Sequence, residues 1–291
     1  MSAPLSVRAV VVLYRTDPAV LRRMLDSLGA AVRAAVADGV VSRVDVRLGD
    51  CSAEPVLDAA PSVGDTTASY DVFGANLGHS GGVNRLLDGL SEDAALLLNP
   101  DLLLAPDAVI QLVRCLDADE RIGVVDARQV PFEHPKPHDP VTGDTPWASM
   151  AAAVVRRATW EEAGPLDAVG FPMHGNDVDF SWRARLAGWR VTHAPVARVF
   201  HDKRLTATGQ VAPSEVEEEH GARAALLLAF TYSRPDVLAR HFEVLDAGSE
   251  AQRRGAAGVR ELLARGPLPT LRDPDHQVAE FVEGNFAVHR F

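Results

Sequence analysis

The run Ala94-Ala95-Leu96-Leu97-Leu98, stopped by Asn99-Pro100-Asp101, constrains this chain more than any other stretch. Five consecutive apolar residues suit a strand buried on both faces, and the proline removes the ladder donor that would extend it. In an open α/β sheet ligands bind outside the carboxyl ends of the strands, so Asp101 is expected to project into a binding crevice. An Asn-Pro-Asp turn explains the triplet equally well when taken alone. The weight therefore falls on what the other strand ends carry.

Val7 to Tyr14 reads as a first strand, followed by Asp17-Pro18, which caps and opens a helix with Leu21, Met24, Leu25 and Leu28 at helical spacing. Val44 to Leu48 gives a second strand ending in Gly49-Asp50-Cys51-Ser52. Tyr70 to Phe73 gives a third, leading through Asn76-Leu77-Gly78-His79-Ser80-Gly81-Gly82-Val83-Asn84 into a helix with Leu86, Leu87 and Leu90. A glycine-rich strand-to-helix turn brings backbone N–H groups close to a ligand, although this one is neither G-x-G-x-x-G nor a P-loop. Past Asp101 follow a helix with Val109, Ile110, Val113 and Leu116 and a strand over 122–125. Residues 131–146, with five prolines and with His134 and His138, read as a surface loop near the site whose histidines are either solvated or metal ligands.

Next comes a strand over 151–155, then a capping-box pattern, Thr159 with Glu162, opening a short helix that Gly164 ends. Asn176-Asp177-Val178-Asp179 begins another helix, with Asp179 and Arg183 four residues apart and Gly188 closing it. Strands follow over 189–193 and 197–200, the second ending at His201. Ser214 and Glu217 form a further capping box before an Ala/Leu-rich helical region that reaches about Arg265 with a break at Pro235. The pattern is that of an α/β protein with a mostly parallel sheet and a helical C-terminal region.

With 29 Lys and Arg against 40 Asp and Glu, the formal charge of −11 argues against nucleic acid as a principal partner. Cys51 and Cys115 match no disulfide framework or zinc spacing, which makes a cytoplasmic setting the expectation. Val10-Val11-Val12-Leu13 is too short to span a bilayer and lacks the flanks of a leader.

Taken in order, Tyr14-Arg15, Asp50-Cys51-Ser52, Asn76-Leu77-Gly78 with Asn84, Leu98-Asn99-Pro100-Asp101, Asn176-Asp177-Val178-Asp179 with Arg183 and Gly188, and Pro195 with His201 resemble the inverting glycosyltransferases of family 2, which have the GT-A fold. The resemblance covers about residues 5–235. Within the family it looks nearest to the rhamnosyltransferases, through Asn76-Leu77-Gly78, Gly82-Val83-Asn84-Arg85 and the run His201, Lys203, Thr208-Gly209.

The resemblance implies a Rossmann-like, mostly parallel GT-A domain over 1–205, with a nucleotide-binding half 1–105 and an acceptor half 106–205, and a helical extension over 206–291. It implies a hexosyltransferase that moves a sugar such as rhamnose from a dTDP- or UDP-linked donor to the hydroxyl of a glycan, a lipid-linked saccharide or a small molecule. The location implied is cytoplasmic or peripheral at the inner membrane face, and the C-terminal helices would shape the acceptor side or a homodimer contact. A diphosphate leaving group carries two negative charges, which Mg²⁺ or Mn²⁺ neutralises well. By the same resemblance Asp101 and His201 would hold the cation, with Lys203 assisting at the diphosphate. Asp50 would receive the nucleoside, with Tyr14 and Asn76 nearby and Gly78 and Asn99 on the same donor side. Asp177 would be the general base that takes the acceptor proton.

The chain departs from the family pattern in three places. Asn176 stands where Glu is common, which removes a like charge beside Asp177 and favours its ionised form. Cys51 replaces a usual Asn, and Met150-Ala151-Ala152-Ala153 stands where a Gly is common. Two other functions fit parts of the pattern. A non-catalytic nucleotide-sugar-binding protein of the same fold is favoured by Asn176, and a nucleotidyltransferase shares the Rossmann-like half but would want a glycine in Tyr14-Arg15-Thr16-Asp17-Pro18.

Overall fold

A computed structural model describes residues 3–133, 136–201, 213–266, 268–282 and 286. In chain order the elements are β1 (Leu5–Leu13), α1 (Pro18–Asp38), β2 (Val41–Asp50), β3 (Ser62–Val63), β4 (Thr66–Thr67), β5 (Ser69–Val72), α2 (Gly78–Leu86), β6 (Ala94–Leu98), β7 (Leu102–Leu104) and α3 (Ala108–Asp117). They continue with β8 (Ile122–Val130), β9 (Ala152–Arg156), α4 (Arg157–Ala163), α5 (Asn176–Leu186), β10 (Arg190–His201), α6 (Glu215–Thr231), α7 (Pro235–Asp246) and α8 (Glu250–Arg265).

Eight strands form one sheet in the order β5-β2-β1-β6-β9-β8-β10-β7. The pairs β2/β5, β1/β2, β1/β6 and β8/β10 are parallel. Strand β9 runs antiparallel between β6 and β8, and β7 runs antiparallel to β10 at the edge. All five residues of β6 are buried, as its unbroken apolar run demands, because helices cover both faces. Burying one such leucine stabilises the fold by about 1.5–3 kcal/mol. Arg8, buried within β1, pairs with Glu92 at 2.8 Å and donates to the carbonyls of Leu86, Asp88 and Gly89, so it closes the end of α2.

The C-terminal helices add a separate core that includes Trp147, Phe171, Val178 and Trp182. There the rings of Trp182 and Tyr232 meet edge to face at 4.6 Å. The Ser214 capping box forms as expected, and a second one, Ser249 with Gln252, opens α8 after a further break.

Three expectations need correction. Thr159 and Glu162 form no capping box: α4 begins at Arg157 straight out of β9, and Thr159 is buried inside it with no partner for its hydroxyl among the described residues. The two strands expected over 189–200 are one strand, β10, with a bulge between Ala194 and Arg198 that absorbs Pro195. The loop expected over 131–146 is exposed over 137–142, but residues 145–150 leave the surface. They return across the sheet, with Thr145 N–H donating to the Val191 carbonyl at 2.9 Å and with Trp147, Ala148, Ser149 and Met150 buried. His138 packs its ring on His193 at 5.1 Å, and His134 lies outside the described residues.

Candidate active site

Strand register builds the central pair. Antiparallel pairing sets Leu102 of β7 opposite His201 of β10, so Asp101, one residue before β7, meets an imidazole a hundred residues later. His201 Nε2 lies 3.3 Å from Asp101 Oδ1, and the Asp101 side chain keeps 38% of its exposure. His201 Nδ1 is 2.7 Å from Gln129 Oε1 on β8. The donor set suits a hard divalent cation: a carboxylate oxygen and an imidazole nitrogen converge, and the far nitrogen of the ring is hydrogen-bonded, as in most ligating histidines. Among the described residues no group of three or more His, Cys, Asp or Glu stands together, so such a cation would share its coordination with ligand oxygens. Asn99 anchors the turn through its N–H, which donates to the Ala151 carbonyl at 2.8 Å.

On the other side of β6 the ends of β1 and β2 meet the start of α2. Arg15 has φ +50°, a backbone conformation rare for a non-glycine residue, and its N–H donates to Ser52 Oγ at 2.7 Å. Its guanidinium stacks on the half-exposed ring of Tyr14, 5.3 Å from the centroid. Asn76 accepts from the Gly78 N–H at 3.0 Å in an Asx turn that starts α2. Gly78 itself has φ +68°, and a Cβ there would stand 2.7 Å from the Pro172 carbonyl oxygen, so only glycine lets α2 approach the 164–175 segment this closely.

The Asp50 carboxylate, expected to receive the nucleoside, is engaged by neighbouring donors. Asp50 is fully buried, and its oxygens accept from Ser52 N–H at 2.8 Å, Val56 N–H at 2.7 Å and Tyr70 O–H at 2.6 Å. Burial pushes the carboxyl up, but the bonds from Tyr70, Val56 and Ser52 outweigh it and hold the group below its ordinary value. Asp50 organises the loop that follows it.

Helix α5 carries the remaining carboxylates. Its N-cap is Gly175, at φ +79°, so Asp177 lies inside the first turn rather than at the cap. Among the described residues the Asp177 carboxylate accepts one hydrogen bond, from Val178 N–H at 3.0 Å. Asp179 is saturated: Arg183 Nε is 2.9 Å away and Tyr232 O–H donates to its Oδ1 at 2.9 Å. Asn176, the departure from the family pattern, donates to His79 Nδ1 and Ser80 Oγ, each at 3.0 Å, and so ties the starts of α5 and α2 together. Burial lowers the His79 pKa, while the Asp177 charge opposes that shift. Lys203, Thr208 and Gly209 lie outside the described residues.

Sequence reading missed the parts played by His79 and Gln129. His79 was visible only as one member of a glycine-rich run. Gln129 was hidden because Asp126 interrupts the apolar run and made the strand look finished at Val125. A cavity of about 510 Å³ lies at the opposite edge of the sheet, between Asp144, Arg185 and Arg190, and not at the strand ends described above.

At the sequence level no family model matches the chain, and neither does any curated protein. Several solved structures do resemble it. A mannosyltransferase, PcManGT from Pyrobaculum calidifontis, in complex with GDP-Man and Mn²⁺, is 16% identical over 91% of this chain and 77% of its own, with a TM-score of 0.56. GalNAc-T7 with UDP, GalNAc and Mn²⁺ is 12% identical over 95% of this chain and 57% of its own, at 0.60. Residues 1–349 of S. aureus TarS are 12% identical over 86% of this chain and 68% of their own, at 0.52. The chain has the GT-A fold.

Proposed function

We propose that this chain is a metal-dependent, inverting glycosyltransferase of the family 2 type, which moves a hexose such as rhamnose from a dTDP- or UDP-linked donor to an acceptor hydroxyl. The observation that carries the reading is the register of β7 against β10, which sets Asp101 and His201 side by side at the carboxyl edge of the sheet. Asp101 and His201 would hold Mg²⁺ or Mn²⁺, which when bound neutralises the charge left on the departing nucleoside diphosphate. Tyr14, Arg15 and the loop shaped by Asp50 would face the nucleoside, with Asn76, Gly78 and Asn99 framing the donor and Lys203 near the diphosphate.

Asp177 would accept the proton of the acceptor hydroxyl as its oxygen bonds to the anomeric carbon and the bond to the diphosphate oxygen breaks. Attack opposite the leaving group inverts the anomeric centre. The carboxylate has lone pairs to spare for this, since it accepts one bond among the described residues. The α6–α8 helices hold α5 through Tyr232 and would shape the acceptor side. A division into a transferase part, 1–205, and a helical extension, 206–291, belongs to the same proposal. Among the described residues no helix is long and apolar enough to cross a membrane.

The test is a thermal-shift screen of nucleotide sugars with and without Mn²⁺ or Mg²⁺. A true donor raises the melting temperature only with the cation, because it binds the folded state. Product analysis of the stabilising donor with candidate acceptors then separates a transferase from a binding protein: hydrolysis or transfer supports the former, and binding without turnover supports the latter.

A further inference from the structure

A buried chain of side chains leads from His201 into the body of the sheet. Beyond the His201–Gln129 contact, Gln129 Nε2 donates to Ser149 Oγ at 2.9 Å, and the Ser149 N–H donates to Asp126 Oδ2 at 2.7 Å. Asp126 is also bonded to Lys136 and to His193 Nδ1, the latter at 2.9 Å. Gln129 is 1% exposed, Ser149 3% and Asp126 0%. Polar groups buried this deeply are tolerated when each is satisfied, and a satisfied network specifies one arrangement of its members. Lys136 and Ser149 come from the segment that crosses the sheet between β8 and β9.

The bonding fixes the chemistry at the imidazole. With its amide nitrogen on Ser149, Gln129 offers its oxygen to His201, so Nδ1 carries the hydrogen and, in the neutral ring, Nε2 the lone pair. His201 Nε2 and Asp101 Oδ1 face one another at 3.3 Å, so both can turn to one cation. We infer that Gln129 is a positioning residue: it holds His201 as the Nδ1–H tautomer and aims the Nε2 lone pair, together with Asp101, at the divalent cation. The 136–150 segment braces that arrangement from behind. The inference rests on the cation reading proposed above.

The test compares Gln129→Met, which keeps the volume but has no acceptor, with Gln129→Glu, which keeps one. Mn²⁺ alone is titrated by calorimetry, and the His201 tautomer is read from long-range ¹H–¹⁵N correlations. Gln129→Met should weaken Mn²⁺ binding about 10–100-fold and mix the tautomers, and Gln129→Glu should restore both. A folded Gln129→Met that binds Mn²⁺ like the wild type overturns the inference, as does a wild-type His201 found as the Nε2–H tautomer, a measurement that stands even where the Met variant does not fold. Equal Mn²⁺ binding by wild type and Asp101→Ala overturns the cation reading itself, whereas the tautomer spectrum judges Gln129 separately.

Discussion

Strand β2 ends in an aspartate and the turn after β6 closes on one, both at the carboxyl edge of a parallel strand, yet the two carboxylates live differently. Asp50 is buried under two N–H donors of the loop that follows it and the Tyr70 hydroxyl of β5, while Asp101 keeps part of its surface and meets, among the described residues, one imidazole. The first turn of α5 repeats the contrast two residues apart, with Asp179 locked by Arg183 and Tyr232 and Asp177 accepting one backbone bond. Identical side chains in equivalent positions are therefore sorted by how many of their lone pairs the protein already uses. A saturated carboxylate holds the fold, and an unsaturated one has capacity left for a ligand or a proton.

Breaking this contrast should give opposite signatures. Asp177→Asn should lower sugar transfer on the order of 10²–10⁴-fold, since a general base matters while the acceptor proton is being lost, and donor binding should survive. Its stability should change by less than about 1 kcal/mol, the range of a charge near a helix N-terminus. Initial rates and a urea titration on the same sample check both. Transfer at the wild-type rate would show that the base lies elsewhere. Asp179→Asn should do the reverse: it strands the buried Arg183 guanidinium, a change that costs about 3–5 kcal/mol, while the folded fraction retains activity. A stable Asp179→Asn protein with no transfer would transfer the base role to Asp179.

The fold was legible because β6 and β1 are apolar runs that only a two-faced cover can bury, and because Asp17-Pro18, Gly164, Gly188 and Ser214 punctuate helices by local chemistry. His201 was legible as a strand end and Asp101 as the close of the turn after β6, but the short strand β7 that brings them together was not. What sequence could not reveal was saturation, which depends on partners distant along the chain: Tyr70 for Asp50, Tyr232 for Asp179, Gln129 for His201. The buried Asp126, Gln129 and Ser149 misled for the same reason. A polar residue in an apolar run reads as a boundary until the group that satisfies it is known, and here Lys136 and His193 satisfy Asp126 from outside β8.

The smallest expected effect sharpens the comparison at Asp50. One of its oxygens accepts from Ser52 N–H, and the other accepts from Val56 N–H and Tyr70 O–H, so every partner is a donor. In Asp50→Asn the new amide nitrogen must face at least one of those donors, leaving it unsatisfied in a buried site at about 1–3 kcal/mol. Acid should reproduce the loss in the wild type. The folded carboxyl lies below its ordinary value, so the unfolded chain binds the proton first as pH falls. The stabilisation is complete above the unfolded carboxylate value of about 3.9 and declines as pH drops from there through the lower folded value. Urea titrations between neutral pH and about pH 3 should therefore show the stability gap between wild type and Asp50→Asn narrowing at the acid end. A gap that stays constant across that range would mean that Asp50 is held by its loop's packing rather than by its charge, and the division between saturated and available carboxylates would then fail at the residue that defines it best.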